Sequence, residues 1–199
     1  MKNNLILFIT GFSAAGKTTL SKYLEEHYPD KFKEVVSHTT RSPREEEKHG
    51  VHYYFVTPEE FDRMYEAGEF IEFVNLYGNK YGVSYKEVDR ILNEGKIPVI
   101  VIHPFSMDHF DSLCDKYACL KIFLEPPSME ELYERLRKRY KNNIKELYKR
   151  MEEYKIERKM VKKSDFDYVI ITDNIENTVC KTLQAIDRKL KEILKDKEK

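Results

Sequence analysis

Neither sign of charge prevails in this sequence: its 199 residues carry 35 lysines and arginines against 35 aspartates and glutamates. That balance gives no support to bulk binding of nucleic acid or of an anionic membrane, and leaves room only for a local basic pocket. Cysteine is scarce as well. Cys114, Cys119 and Cys180 follow neither a zinc-ligand spacing nor a paired framework, so neither a metal cage nor a disulfide scaffold is implied, and a reducing compartment is expected. No hydrophobic run approaches the length of a membrane span. The apolar stretch after Lys2 is too short for a secretory signal and runs directly into a glycine-containing loop. There is no internal repeat. With 41% hydrophobic residues, the chain is expected to form one cytoplasmic domain with a full core.

What is present is organised around Gly11-Phe12-Ser13-Ala14-Ala15-Gly16-Lys17-Thr18. An apolar run, Leu5 to Ile9, precedes it, and Leu20 and Leu24 follow at helical spacing, which is the strand–loop–helix setting of a phosphate-binding loop. Glycines let the backbone wrap closely, while loop N–H groups and the helix dipole attract phosphate oxygens. Lys17 would reach the outer phosphates, and the Thr18 hydroxyl would ligate Mg²⁺.

Further along, Lys33 to Ser37 and His52 to Val56 read as strands, separated by a polar loop from His38 to Gly50. Thr57-Pro58-Glu59-Glu60, Ser84-Tyr85-Lys86-Glu87 and Ser128-Met129-Glu130-Glu131 are capping boxes that each open a helix. Between the first two lie a strand-like stretch, Glu69 to Tyr77, and a glycine-bounded turn, Gly78 to Gly82. Val99 to Ile102 and Cys119 to Leu124 are continuous apolar runs suited to buried parallel strands, and Tyr168 to Ile171 is the last strand. Asn142-Asn143 breaks a basic helix, and Ile144, Leu147, Met151 and Tyr154 mark the apolar stripe of the next. Ile175, Val179, Leu183, Ile186, Leu190 and Ile193 share one face of a final helix. This alternation predicts an α/β, doubly wound parallel sheet interrupted by a strand-rich insert at roughly 34–83.

The loop Thr40-Arg41-Ser42-Pro43-Arg44 offers two guanidinium groups, suited to bidentate grip on an oxyanion, which with the hydroxyls of Tyr53 and Tyr81 could hold a second phosphate. At these residues the chain resembles the guanylate kinase family. Gly11 to Thr19, Ser37 to Arg44, Glu47, Gly50, Tyr53 to Val56, Glu60-Phe61, Glu69 to Glu72, Tyr81-Gly82, and Arg135, Arg139 and Arg150 match its motifs in order, over nearly the whole chain. The resemblance implies a single domain with three parts: a core at 1–33, 84–134 and 151–199, a nucleoside-monophosphate lobe at 34–83, and a helical lid at 135–150.

It further implies an ATP-dependent kinase acting on a nucleoside monophosphate, GMP or dGMP first, with Mg²⁺. ATP would lie on Gly11, Ser13, Ala14, Ala15, Gly16, Lys17, Thr18 and Thr19; the acceptor phosphate on Arg41, Arg44, Tyr53 and Tyr81; and the guanine at Ser37 and Glu72. Lys17, Arg41, Arg135, Arg139 and Arg150 would stabilise the transferring charge. A carboxylate that accepts from both N1–H and the exocyclic amine selects guanine, because adenine has no donor at N1.

Four positions depart from the family pattern. Val83 stands where a Thr or Ser would help hold the base, and Val101-Ile102-His103 replaces an Asp-x-Asp whose first acid lies near the metal and whose second reads guanine. His103 is a candidate base contact or a strand-end core histidine, and Asp108 a candidate replacement acid. Thr172 replaces an Asn near the adenine. These departures keep two alternatives open: a kinase of the same fold acting on another nucleotide or on ribose 1,5-bisphosphate, and a phosphopeptide-binding module, against which intact Lys17 and Thr18 argue.

Overall fold

A computed structural model describes residues 5–76, 78–104, 110–141 and 143–197; Lys2, Tyr77, Asp108 and Asn142 lie outside them. The chain runs β1 (Leu5–Gly11), α1 (Lys17–His27), β2 (Phe32–Glu34), β3 (His38–Thr39), β4 (Tyr54–Phe55), α2 (Pro58–Glu66), β5 (Phe70–Leu76), β6 (Asn79–Ser84), α3 (Tyr85–Asn93), β7 (Ile97–Val101), α4 (Asp111–Lys116), β8 (Ala118–Glu125), α5 (Met129–Tyr140), α6 (Ile144–Met160), β9 (Tyr168–Ile171) and α7 (Ile175–Lys197).

Five strands in the order β2-β7-β1-β8-β9, all paired in parallel, form the central sheet. Every residue of β1 is buried, because helices cover both of its faces. Alternation along the strand divides the core: Leu5, Leu7 and Ile9 pack with Leu20 and Leu24 of α1 and Val179 and Ile186 of α7. Ile6 and Phe8 point the other way, to Val88 and Ile91 of α3 and Leu113 of α4. A third cluster joins Phe12 and Phe123 to Leu132, Leu136, Leu147 and Tyr154, and seats α5 and α6 over the end of the sheet. This is the doubly wound arrangement expected from the sequence. None of the helices among the described residues is long and apolar enough to cross a membrane.

The strand-rich middle of the chain builds a second sheet of its own, in the order β4-β3-β6-β5. Its edges differ from the sequence reading in three places. Asn79 to Ser84, expected to be largely a turn, is a strand antiparallel to β5, and only Gly78 (φ +77°) takes the turn conformation. Gly82 serves a different purpose, since a Cβ there would lie 2.8 Å from Phe70 Cδ1. β2 stops at Glu34; Val35 N–H still donates to the Val99 carbonyl of β7 (2.9 Å), and beyond it Val36 and Ser37 cross to the second sheet. The strand expected over 52–56 is shortened to Tyr54–Phe55, because the residues before it turn: Tyr53 forms a single bridge with His49, and Gly50 N–H donates to the Tyr53 carbonyl. In α6, Leu147 and Tyr154 are buried as expected but Ile144 is exposed, lying in the first turn beyond the reach of the third cluster.

Candidate functional site

β1 ends where the chain must turn beside β8. At Gly11 a Cβ would lie 2.3 Å from the Leu124 carbonyl oxygen, and φ is +143°, so only glycine fits. Gly16, at φ +98°, precedes α1 without a side-chain cap, leaving the first-turn N–H groups directed out of the helix end. Phe12 anchors the loop between these glycines, meeting Phe123 and Tyr154 edge-on at centroid distances of 5.1 and 4.8 Å. Lys17 Nζ donates to the carbonyls of Gly11 (2.7 Å) and Phe12 (2.9 Å). Burial pushes its pKa down to about 8, with Glu157 pulling upward and Arg139 downward. A polyphosphate would favour the charged form and draw the ammonium outward.

The loop opens on a cavity of about 600 Å³ lined by Ser13 to Thr19 and, across from them, by Arg135, Arg139 and Arg150. Thus α5 and α6 bring all three expected lid arginines to the phosphate loop. Arg135 donates to Thr172 Oγ1 (2.9 Å) and to the Thr172 carbonyl, which pins α5 to the β9–α7 connection. Arg150 is clasped by Glu146 (2.8 Å) and Glu153 (2.9 Å). The Arg139 guanidinium lies 5.7 Å from the Tyr140 ring centroid.

On the second sheet, Arg41 lies over the rings of Tyr53 and Phe55 at 5.5 and 5.7 Å, and Tyr53 meets Tyr81 at 6.0 Å between centroids. Burial, then the neighbouring Tyr81, raises the Tyr53 pKa, keeping its hydroxyl protonated and able to donate. Glu47 binds Arg41 Nη2 (2.9 Å) and accepts from the Arg44 N–H (2.9 Å), so one carboxylate organises both ends of the arginine loop. The Arg44 side chain itself is exposed.

Of the residues expected to read a base, Ser37 accepts from the Tyr54 N–H through its carbonyl at 2.9 Å. Glu72 and Val83 are direct cross-strand partners in β5 and β6. Burial pushes the Glu72 carboxyl up to about 7. Val83 is buried with Val35, Ile71 and Val88, so its side chain serves the core. His103 is placed elsewhere: it lines the phosphate-loop cavity, and its Nε2 lies 3.2 Å from Glu157 Oε1, whereas Ser37, Glu72 and Val83 do not line that cavity.

The sequence model of guanylate kinase matches residues 2–189. Guanylate kinase of Chlamydia felis is 42% identical over 85% of this chain and 81% of its own, and that of Campylobacter jejuni 36% identical over 91% and 86%. The chain belongs to the guanylate kinase family. The crystal structure of guanylate kinase from Anaplasma phagocytophilum superposes with a TM-score of 0.68 at 29% identity, covering 96% of this chain and 88% of that one. A gluconokinase from Sinorhizobium meliloti, at 13% identity and a TM-score of 0.53, shares the fold alone.

Within this guanylate kinase fold, the sequence reading had assigned no role to Glu47, Glu153 or Glu157. Arg150, Glu153, Tyr154 and Glu157 follow at i, i+3, i+4 and i+7, which places them on one face of α6, and all four line the cavity. That spacing was available in the sequence. The pairing of Glu47 with Arg41 was not, since it depends on how the polar loop folds back.

Proposed function

We propose that this protein transfers the γ-phosphoryl group of ATP to GMP or dGMP, giving ADP and GDP or dGDP. The observation that carries this reading is the pairing of two phosphate grips in one molecule: the loop from Gly11 to Thr19 faced by three arginines, and the Arg41–Tyr53–Tyr81 cluster on the sheet that also carries Glu72. Membership of the guanylate kinase family supports the same assignment.

The acceptor phosphate is already an anion near neutral pH, so no general base is required, and catalysis is positioning plus charge stabilisation. Lys17, Arg135, Arg139 and Arg150 would stabilise the transferring phosphoryl group, while Arg41, Arg44, Tyr53 and Tyr81 hold the acceptor and Ser37 and Glu72 its base. Closure of a monophosphate-binding lobe (34–83) and a lid (135–150) on the core would align the two substrates and exclude water. Mg²⁺ fits this site through the nucleotide. The Thr18 hydroxyl is exposed at the start of α1 and lines the cavity, and among the described residues no three His, Cys, Asp or Glu side chains converge to hold a metal alone. A cation held by one protein oxygen plus phosphates and waters is the usual mode for Mg²⁺, and it would neutralise charge on the transferred group. The enzyme is inferred to act in the cytoplasm on free nucleotides.

A coupled assay of ADP release over GMP, dGMP, AMP, UMP, dTMP, IMP and ribose 1,5-bisphosphate tests this. Turnover of GMP and dGMP above all others is expected. Turnover only with a non-guanine acceptor, or a thermal shift with a phosphopeptide and none with Mg-ATP, would overturn it.

A further inference from the structure

Glu87 belongs to neither phosphate grip, yet it is only 3% exposed, a degree of burial that a carboxylate tolerates only when paired. It sits in the first turn of α3, directly after the chain returns from the second sheet. Its N–H donates to Ser84 Oγ (3.3 Å), at the end of β6. Its Oε1 accepts from the Val36 N–H (3.4 Å), in the outgoing crossover between β2 and β3. Its Oε2 accepts from the Tyr54 hydroxyl (3.0 Å), in β4. Arg90 closes the arrangement, donating from Nη2 (2.8 Å) and Nε (2.9 Å). Burial works against the charge, but the hydrogen bonds from Arg90 and Tyr54 prevail and hold the carboxyl below its ordinary range.

The two sheets are joined through the crossovers at 35–37 and 84–85, and Glu87 grips both while also holding a strand of the second sheet. Its partners border the acceptor site. Val36 precedes Ser37, Tyr54 follows Tyr53, and the Tyr54 N–H bonds back to the Ser37 carbonyl at 2.9 Å. We infer that Glu87 is a positioning residue: through Val36, Ser84 and Tyr54 it staples the hinge of the second sheet and sets where Ser37 and Tyr53 stand relative to the phosphate loop. The identity of the acceptor in this inference rests on the proposed function.

Tyr54→Phe removes one hydroxyl and keeps the ring that stacks on His38 at 4.8 Å, so it is the mildest of these changes to the packing. It is expected to raise KM for GMP about 3- to 10-fold with KM for ATP within about 2-fold, the size of one ordinary net hydrogen bond, since the acceptor feels the loss only through the hinge. Glu87→Ala is expected to lower kcat/KM for GMP about 10- to 100-fold, and Glu87→Gln to recover part of that loss. Hydrogen exchange of the nucleotide-free proteins provides a reading independent of the acceptor: amides in 36–56 and 79–84 exchange faster in both Tyr54→Phe and Glu87→Ala, while those of β1 do not change. Unaltered exchange in these segments overturns the staple. Altered exchange with an unchanged KM for GMP, or an equal rise in both KM values, overturns the positioning role. Failure of the unmodified enzyme to use GMP overturns the proposed function instead, and the exchange data then decide the staple.

Discussion

Glu72 shows how a single side chain can set stability against recognition. Its folded pKa, near 7, lies above the ordinary value of 4.5, so between those limits the folded chain retains a proton that the unfolded chain has lost. The stability linked to Glu72 is therefore fully present below the unfolded pKa and is lost as the pH rises through about 7. Glu72→Gln, which never ionises, is expected to raise the melting temperature of the nucleotide-free protein at pH 8 relative to the unmodified chain, with the difference vanishing only below the unfolded pKa, near pH 4. Thermal scans at the two pH values check this. In the proposed assignment guanine binding calls on the ionised carboxylate, so KM for GMP in the unmodified enzyme is expected to rise as the pH falls below about 7.

Val83 stands opposite Glu72 and offers the base no hydroxyl. Val83→Thr is expected to lower KM for GMP about 3- to 10-fold, the effect of one added hydrogen bond. Burying that hydroxyl among Val35, Ile71 and Val88 without nucleotide should at the same time destabilise the free protein by about 1–3 kcal/mol. Kinetics and a denaturant titration on the same sample separate the two effects.

At the scale of elements, Gly82 in β6 makes close packing of the second sheet possible. A Cβ there would meet Phe70 at 2.8 and 2.9 Å and Phe61 Cζ at 3.0 Å, and those two rings stack at 4.4 Å. Gly82→Ala is expected to cost about 1–3 kcal/mol through overpacking. For a chain of this size that lowers the melting temperature by roughly 2–10 °C, and displacement of the adjoining Tyr81 should raise KM for GMP. The sequence could not distinguish this glycine from a turn residue, because the ring that requires it arrives from a strand paired in space. Local signals were more legible. Thr57, Ser84 and Ser128 each accept the backbone N–H three residues on, as their capping boxes required. Glu87 was legible only as part of such a box. Its buried carboxylate answers to Tyr54 and Val36, 33 and 51 residues away, which no local pattern encodes.

For the whole molecule, the phosphate loop and the parallel sheet could be read from the sequence because both are written in contiguous residues: a buried strand, two glycines, a lysine and a helix. The proposed acceptor site is harder to read, being spread over Ser37 before β3, the arginine loop, Tyr53 before β4, Glu72 of β5 and Tyr81 of β6, and the placement of His103 beside Glu157 follows from how α6 crosses the cavity. In the proposed assignment Glu72 imposes selection of guanine although Val83 and His103 stand where the family pattern has other polar residues. The most direct test is the ratio of kcat/KM for GMP to that for IMP, which keeps N1–H but lacks the exocyclic amine, measured in the unmodified enzyme and in Glu72→Gln. A charged acceptor that loses one donor should discriminate by about 10- to 100-fold. The expected result is a ratio in that range for the unmodified enzyme, collapsing to within about 3-fold in the variant. An unmodified enzyme that uses IMP as well as GMP, or a variant that keeps the full ratio, would contradict the assignment of Glu72 as the guanine reader.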